Sequence, residues 1–310
     1  QCLVGSEMCI RDRLDAKKVI LTLADNTTNT ITDSSRLSTE EDYSAVIYSK
    51  EDLIINGNGT LNVNAGYRNG IKSTDDCIIV SGTLNITSTE DGIIGKDLCG
   101  IVAGDININA GSDGIKSTYD TDTTKGNVII EGGNITIKAS NDGIQAENIL
   151  VINDGTINIK TNNGAADTTQ THIDNMDMGR GGFGFNNNKT TTTTDDTSES
   201  RKGIKAGNML IINDGDITID SDDDSVHCNS VIYIYGGTIN AATGDDGVHA
   251  DDLLTVNGGT INITQCYEGL EADDIVINDG DISVVSSDDG INSSDGSITI
   301  NGGNLLINAS

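Results

Sequence analysis

One short motif returns through this chain at a fixed interval and constrains the fold more than anything else. An acidic or amide residue stands before glycine in Asn69-Gly70-Ile71, Asp91-Gly92-Ile93, Asp113-Gly114-Ile115 and Asp142-Gly143-Ile144. From Gly92 to Gly114, and again from Gly247 to Gly269, is 22 positions. After a long interruption the motif resumes as Lys202-Gly203-Ile204, Asp224-Ser225-Val226, Asp246-Gly247-Val248, Glu268-Gly269-Leu270 and Asp289-Gly290-Ile291. A repeat of this length indicates a solenoid, whose units pack on their neighbours. Each repeated residue then becomes a column, with neighbours about 4.8 Å apart.

A second turn marker follows the first within each repeat, as at Asp154-Gly155-Thr156 and Gly258-Gly259-Thr260. The first marker opens a first strand, such as Val248-His249-Ala250. A second strand lies between the markers, such as Leu150-Val151-Ile152, and a third follows the second marker, such as Thr156-Ile157-Asn158-Ile159. All three alternate with period 2, which gives each one buried face. The inward positions of the third strand read Leu61/Val63, Leu84/Ile86, Ile106/Ile108, Ile135/Ile137, Ile157/Ile159, Ile217/Ile219 and Ile261/Ile263. Branched aliphatic residues suit a pleated buried surface. No apolar stripe follows the helical period. The expected fold is all-β, a right-handed parallel β-helix of about ten rungs and roughly 45–50 Å. Residues 40–310 are expected to form this single domain, with 14–39 as an N-terminal flank. Residues 1–13 share nothing with the repeat and read as non-native sequence. The chain stops after a strand, with no polar cap in the sequence.

Lys and Arg number 18 against 48 Asp and Glu, a formal charge of −30. Nucleic acid is therefore excluded as a natural partner. No apolar run reaches membrane-span length, so no insertion into a membrane is expected. Aromatic residues make up 3% with no Trp, too few for a long aromatic platform. A monomer is expected. Cys77 and Cys99 fall on neighbouring rungs at an inward position, either as buried thiols or within reach of a disulfide. Cys228 takes a small inward position, and Cys266 is placed in a turn.

The insertion, 161–200, is rich in Asn, Thr and Gly. A neutral loop and a flap over a ligand face are both open. A smaller insertion lies near Tyr119 to Lys125.

The acids of the first marker form a column. Its candidate metal ligands are Asp222, Asp223, Asp224, Asp245, Asp246, Glu268, Asp288 and Asp289. Stacked surface carboxylates repel by about 1 kcal/mol per pair, and a divalent cation between rungs removes that cost. Oxygen-only donors at flexible spacing suit calcium. Solubility alone is the plainer explanation of the charge. A second acidic column comprises Asp75-Asp76, Glu147, Asp251-Asp252 and Asp273-Asp274.

The outward position of the first strand reads Lys72, Ile94, Lys116, Gln145, Lys205, His227, His249, Glu271 and Asn292. This stripe either compensates the adjacent acids or binds ligand carboxylates, and Arg201 and Lys202 extend it. His227 and His249 also suit a transition metal but lack a third ligand in the sequence. Tyr233 and Tyr235 face outward together and suit stacking on a sugar ring. The candidate carbohydrate-binding residues are thus Arg201, Lys202, Lys205, His227, His249, Glu271, Tyr233 and Tyr235.

Four motifs carry a resemblance: Lys-Gly-Ile-Lys-Ala at 202–206, Asp-Asp-Gly-Val-His-Ala at 245–250, Tyr-Glu-Gly-Leu-Glu-Ala at 267–272 and Ser-Asp-Asp-Gly-Ile-Asn at 287–292. Over roughly 40–310 the chain resembles a family of bacterial extracellular carbohydrate-binding β-helix proteins, known mainly from clostridia. The resemblance implies a pectate-lyase-like fold, bound calcium and an acidic plant polysaccharide or cellulose as ligand. The leading expectation is calcium-dependent, non-catalytic binding of uronic-acid or plant cell-wall polysaccharide outside the cell. A lyase remains the alternative, with Arg201 or Lys205 as base. A glycoside hydrolase would use Asp223 and Asp246. A structural adhesin would use the rod as a stalk. No rung departs from the repeat with a dedicated catalytic set, so no catalytic residue is assigned.

Overall fold

The computed structural model describes residues 17–33, 44–166 and 200–310. Every strand pairing in it is parallel, and the strands stack in register as a β-solenoid of about ten turns. The third strands form one 11-stranded sheet. The first and second strands form a 19-stranded sheet that wraps the opposite side. Among the described residues the sole helical element is a single 3-10 turn at Gly164–Ala166. No helix among them is long and apolar enough to cross a membrane.

Stacking is driven by the expected aliphatic columns. Every inward residue assigned to the third strand from Leu61 to Ile263 is at most 3% exposed. Burying one such side chain stabilises the fold by roughly 1.5–3 kcal/mol. Ile135 pairs with Ile106 and Ile157, and Ile157 with Ile217, so the column continues across both insertions. Outward on the same strands, amides bond along the stack. Asn85 donates to Asn62 at 2.9 Å, Asn107 to Asn85 at 3.0 Å and Asn262 to Asn240 at 3.3 Å. These amides largely satisfy one another, as in stacked Asn ladders.

Glycine after the acidic residue is required by contact between rungs. A Cβ on Gly114 would lie 2.5 Å from Gly143 O and 2.5 Å from Ile137 Cγ2. The second marker needs glycine for a different reason: Gly155 adopts a φ of +127, which side chains disfavour.

Three expectations change. The stretch read as a flank contributes strands Lys18–Leu23 and Thr28–Asp33, which pair with Asp52–Gly57 and Thr60–Ala65. Leu23 is 2% exposed, and Val19, Leu21 and Ile31 pack against the core. This rung lacks the Asp-Gly signature, which is why periodicity alone passed over it. Second, the first and second strands merge in Val248–Val256 and Leu270–Ile277, with a register shift between Ala250 and Leu253. Third, Cys266 ends the strand Thr260–Cys266 and is buried, its thiol donating to Val285 O at 3.4 Å. Cys77 and Cys99 are paired in register as free buried thiols. Burial pushes the Cys99 thiol up to about 12. The segment 1–13 and the middle of the insertion, 167–199, lie outside the described residues.

Candidate functional site

The acidic column is not the surface ladder expected from the sequence. Asp113, Asp142, Asp224 and Asp246 are all buried. Glycine after Asp113, Asp142 and Asp246, and the small Ser225 after Asp224, let adjacent corners approach closely, and the carboxylate reaches the backbone of the next rung. Asp91 Oδ1 accepts from Asp113 N at 3.1 Å, and Asp113 Oδ1 from Asp142 N at 3.0 Å. Asp142 Oδ1 accepts from Lys202 N at 2.8 Å, and Asp224 Oδ1 from Asp246 N at 3.1 Å. Each carboxylate thus satisfies one buried backbone donor of the next rung. The sequence treated these acids as a charge problem, whereas the fold uses them first as acceptors.

The column is interrupted where Lys202 takes the acid's place. Lysine offers no acceptor. The Asp224 backbone N–H turns instead to Asp223 Oδ1 at 2.9 Å. The Lys202 ammonium lies 2.6 Å from Asp224 Oδ2 and 3.1 Å from Asp223 Oδ1. Burial by itself would lower the Lys202 pKa, but Asp224 and Asp223 hold it above its usual value. Burial likewise works against an ionised Asp224, yet Lys202 and the bonds from His227 and His249 hold it well below the carboxylate range.

Two histidines converge on the same carboxylate. The strand pairs His227 with His249 across adjacent rungs. Their ring centroids lie 4.9 Å apart, edge to face. His227 Nδ1 is 2.8 Å from Asp224 Oδ2 and its Nε2 is 2.8 Å from Asn229 Oδ1. His249 Nδ1 is 3.3 Å from Asp246 Oδ2, 3.6 Å from Glu271 Oε2 and 3.7 Å from Asp224 Oδ2. Desolvation would lower the His249 pKa, but Asp224, Asp246 and Glu271 raise it to about 11. Burial, with neighbouring charge from Asp224, raises Asp245 to about 7 and Asp246 to about 6. Burial and the bond to Asp246 raise Glu271 to about 7.

The other basic candidates are also held by the protein's own acids. Arg201 Nη1 donates to Asp222 Oδ2 at 2.8 Å. Asn162 Nδ2 donates to the same oxygen at 2.8 Å. Asp222 therefore ties together the two ends of the long insertion. Asp220 assists by accepting from Ala165 N at 2.8 Å. Lys205 Nζ donates to Ser200 Oγ at 3.2 Å and lies 3.9 Å from Asp142 Oδ2. Ile94 and His227, read as outward, are buried. In this stripe compensation of the acidic column is the observed arrangement.

The last rungs differ. Glu268 accepts both its bonds from Asn292 Nδ2, at 3.0 and 3.1 Å. Burial, then Glu271, Asp289 and Asp288, raise its pKa. Among the described residues no basic side chain forms an ion pair with Glu268, Asp288 or Asp289. Carboxylate oxygens suit calcium; those of Asp223, Asp224 and Asp245 lie within 4.8 Å of one another, but there an ammonium already stands.

On a neighbouring face, Tyr233 and Tyr235 stack with centroids 6.4 Å apart and planes 24° apart. Tyr235 is 52% exposed. It interrupts a column of amides in which Asn213 donates to Asn153 and Asn278 to Asn257. The sequence placed both rings outward. It did not reveal Asn229 as the partner of His227, because Asn229 lies just past the strand Val226–Cys228, where alternation no longer fixes its side.

Comparison with known proteins adds the family. The model of a carbohydrate-binding domain-containing protein matches residues 8–247 and 245–310. A carbohydrate-binding domain-containing protein of Acetivibrio thermocellus is 39% identical over 75 residues, covering 23% of this chain and 26% of the relative. The chain thus spans about a quarter of that relative's length. A solved polysaccharide lyase-like protein from C. thermocellum, a gadolinium derivative, is 35% identical, with a TM-score of 0.45. That alignment covers 47% of this chain and 60% of the solved one. The family match runs through nearly the whole sequence, and the chain belongs to the family of carbohydrate-binding domain-containing proteins.

Proposed function

We propose that this carbohydrate-binding protein takes an acidic, uronic-acid polysaccharide of the plant cell wall, that calcium bridges the two, and that it binds without catalysis. Such a polymer lies outside the cell, so the reading places the protein there as well. The observation that carries it is that Glu268, Asp288 and Asp289 on the last rungs have no basic side chain in an ion pair, whereas Asp113, Asp224 and Asp246 earlier in the column each have one. A calcium ion there would be held by carboxylates, with coordination left for a uronate carboxylate. Arg201 and Lys205 are engaged by Asp222, Ser200 and Asp142, which favours binding over base-catalysed elimination. The stacked Tyr233 and Tyr235 supply an apolar ring face beside amide donors.

The test is a pull-down on polygalacturonate, with calcium or with a chelator, read together with absorbance of unsaturated product. Calcium-dependent retention without product is expected, and Glu268→Gln combined with Asp289→Asn should remove it. Retention that is indifferent to chelator overturns the calcium bridge, and accumulation of unsaturated product overturns the non-catalytic reading.

A further inference from the structure

The sequence offers two histidines without a third ligand; the fold supplies the ligands. We propose that His227, His249 and Asp224, closed by Asp246 or Glu271, form a binding site for a first-row transition ion such as zinc or cobalt, separate from any calcium at the last rungs.

The first argument is spacing. Zinc binds nitrogen and carboxylate oxygen at about 2.0–2.2 Å in tetrahedral sites, which puts neighbouring donor atoms roughly 3.3–3.6 Å apart. His249 Nδ1 stands 3.3 Å from Asp246 Oδ2, 3.6 Å from Glu271 Oε2 and 3.7 Å from Asp224 Oδ2. His227 Nδ1 stands at 2.8 Å from the same Asp224 oxygen, a direct hydrogen bond that an ion would replace by moving the two atoms slightly apart. The donor atoms of Asp224, His227 and His249 lie within 4.8 Å of one another, as do those of Asp246, His249 and Glu271. His249 belongs to both groups, so the carboxylates of the second adjoin the first at that imidazole.

The second argument is orientation. A metal-bound imidazole donates its other ring N–H to a carbonyl or carboxylate, which fixes the tautomer. His227 Nε2 faces Asn229 Oδ1 at 2.8 Å. His249 Nε2 faces Asp251 Oδ1 at 3.7 Å. Both Nδ1 atoms then point at the centre. Asp224 is likewise braced through Oδ1 on Asp246 N at 3.1 Å, which turns Oδ2 toward the imidazoles, and a metal there would share that oxygen with Lys202 Nζ at 2.6 Å.

The third argument is an unused oxygen. Asp246 is 5% exposed, and its Oδ1 is buried without a hydrogen-bond partner. The preceding acids of the column spend that oxygen on the next rung's N–H, as Asp224 does. A carboxylate left over in this way beside the His249 imidazole is a ready ligand. The mixed nitrogen and oxygen donor set favours a borderline ion over calcium or magnesium.

The experiment titrates the full chain with cobalt(II), read by its visible ligand-field bands, and repeats it with zinc in competition. One ion per chain is expected, displaced by zinc and unaffected by excess calcium. His227→Gln and His249→Gln should each weaken binding at least tenfold, and together abolish it. His172, the third histidine of the chain, serves as control, and His172→Gln should leave binding unchanged. On the unaltered protein, long-range proton–nitrogen spectra should show two histidine Nδ1 signals moving on zinc addition, whatever the variants' folding. Unmoved histidine signals overturn the site. So does a thiolate charge-transfer band with cobalt, full binding by the double variant, or binding lost on replacing His172.

Discussion

The Lys202 ammonium lies 2.6 Å from Asp224 Oδ2, one rung away in the column where other rungs place an acid. A buried carboxylate needs a counter-charge, and here the chain carries its own. Lys202 thus occupies the place that a bound cation would otherwise fill between Asp223 and Asp224.

Replacing Lys202 should therefore destabilise the fold strongly. Lys202→Met leaves Asp224 buried without its nearest cation, and breaking such a pair costs about 3–5 kcal/mol. Urea unfolding at neutral pH measures this. A loss below about 1 kcal/mol would show that His227 and His249 suffice as counter-charges.

Inside and outside are separated by a single position on the third strand. Ile157 is fully buried between Ile135 and Ile217, and Asn158 faces out. Ile157→Asp inserts an unpaired charge into the aliphatic stack and should prevent folding or lower stability by several kcal/mol, roughly. Asn158→Asp should stay within about 0.5–1 kcal/mol, as surface changes usually do. Thermal melts of the pair give the comparison, and equal shifts would contradict the register.

Stability should fall as pH rises from 6 to 9 in metal-free protein, by proton linkage. His249 is raised from 6.5 to about 11, so its contribution is full below 6.5 and is lost as pH climbs toward 11. Asp246, raised to about 6, and Asp245 and Glu271, each raised to about 7, act in the same direction. They bind protons more tightly when folded and lose that stabilisation as pH rises from about 4 to 6 or 7. Asp224 is held below 3.8 and opposes them in acid, its stabilisation being lost as pH falls through its depressed value. Denaturant midpoints should peak near pH 4, where Asp224 is ionised and the raised carboxyls still hold their protons. A midpoint that climbs steadily from pH 6 to 9 would contradict the cluster's assignment.

Tyr235 should matter for ligand and not for fold. It is 52% exposed and stacks on Tyr233 at 6.4 Å. Tyr235→Ala should weaken polysaccharide retention several-fold and change unfolding free energy by less than about 0.5 kcal/mol. Affinity electrophoresis in polysaccharide-containing gels, run beside a thermal melt, separates the two effects. Unchanged mobility would remove the tyrosines from the binding face.

The repeat was legible because a solenoid converts sequence period directly into stacking. Ile106, Ile135 and Ile157 recur at one phase of an alternating strand, and no distant contact is needed to place them in the core. The rung at Lys18–Leu23 escaped because it keeps the alternation without the acidic turn. The Asp-Gly column was visible as a row of acids, but its role was not. Whether Asp113 faces water or caps Asp142 N depends on how closely two corners approach, and backbone packing decides that. The same holds for His227 and His249. Their sequence spacing puts them on neighbouring rungs, and the strand direction puts them on one side. Only the stacked structure brings Asp224, Asp246 and Glu271 around His249 Nδ1, because those contacts join side chains from three rungs. Local alternation and period determine which residues share a column. Distances of a few ångströms between columns, set by side-chain packing at the corners, determine which charges neutralise one another and which remain open to a ligand.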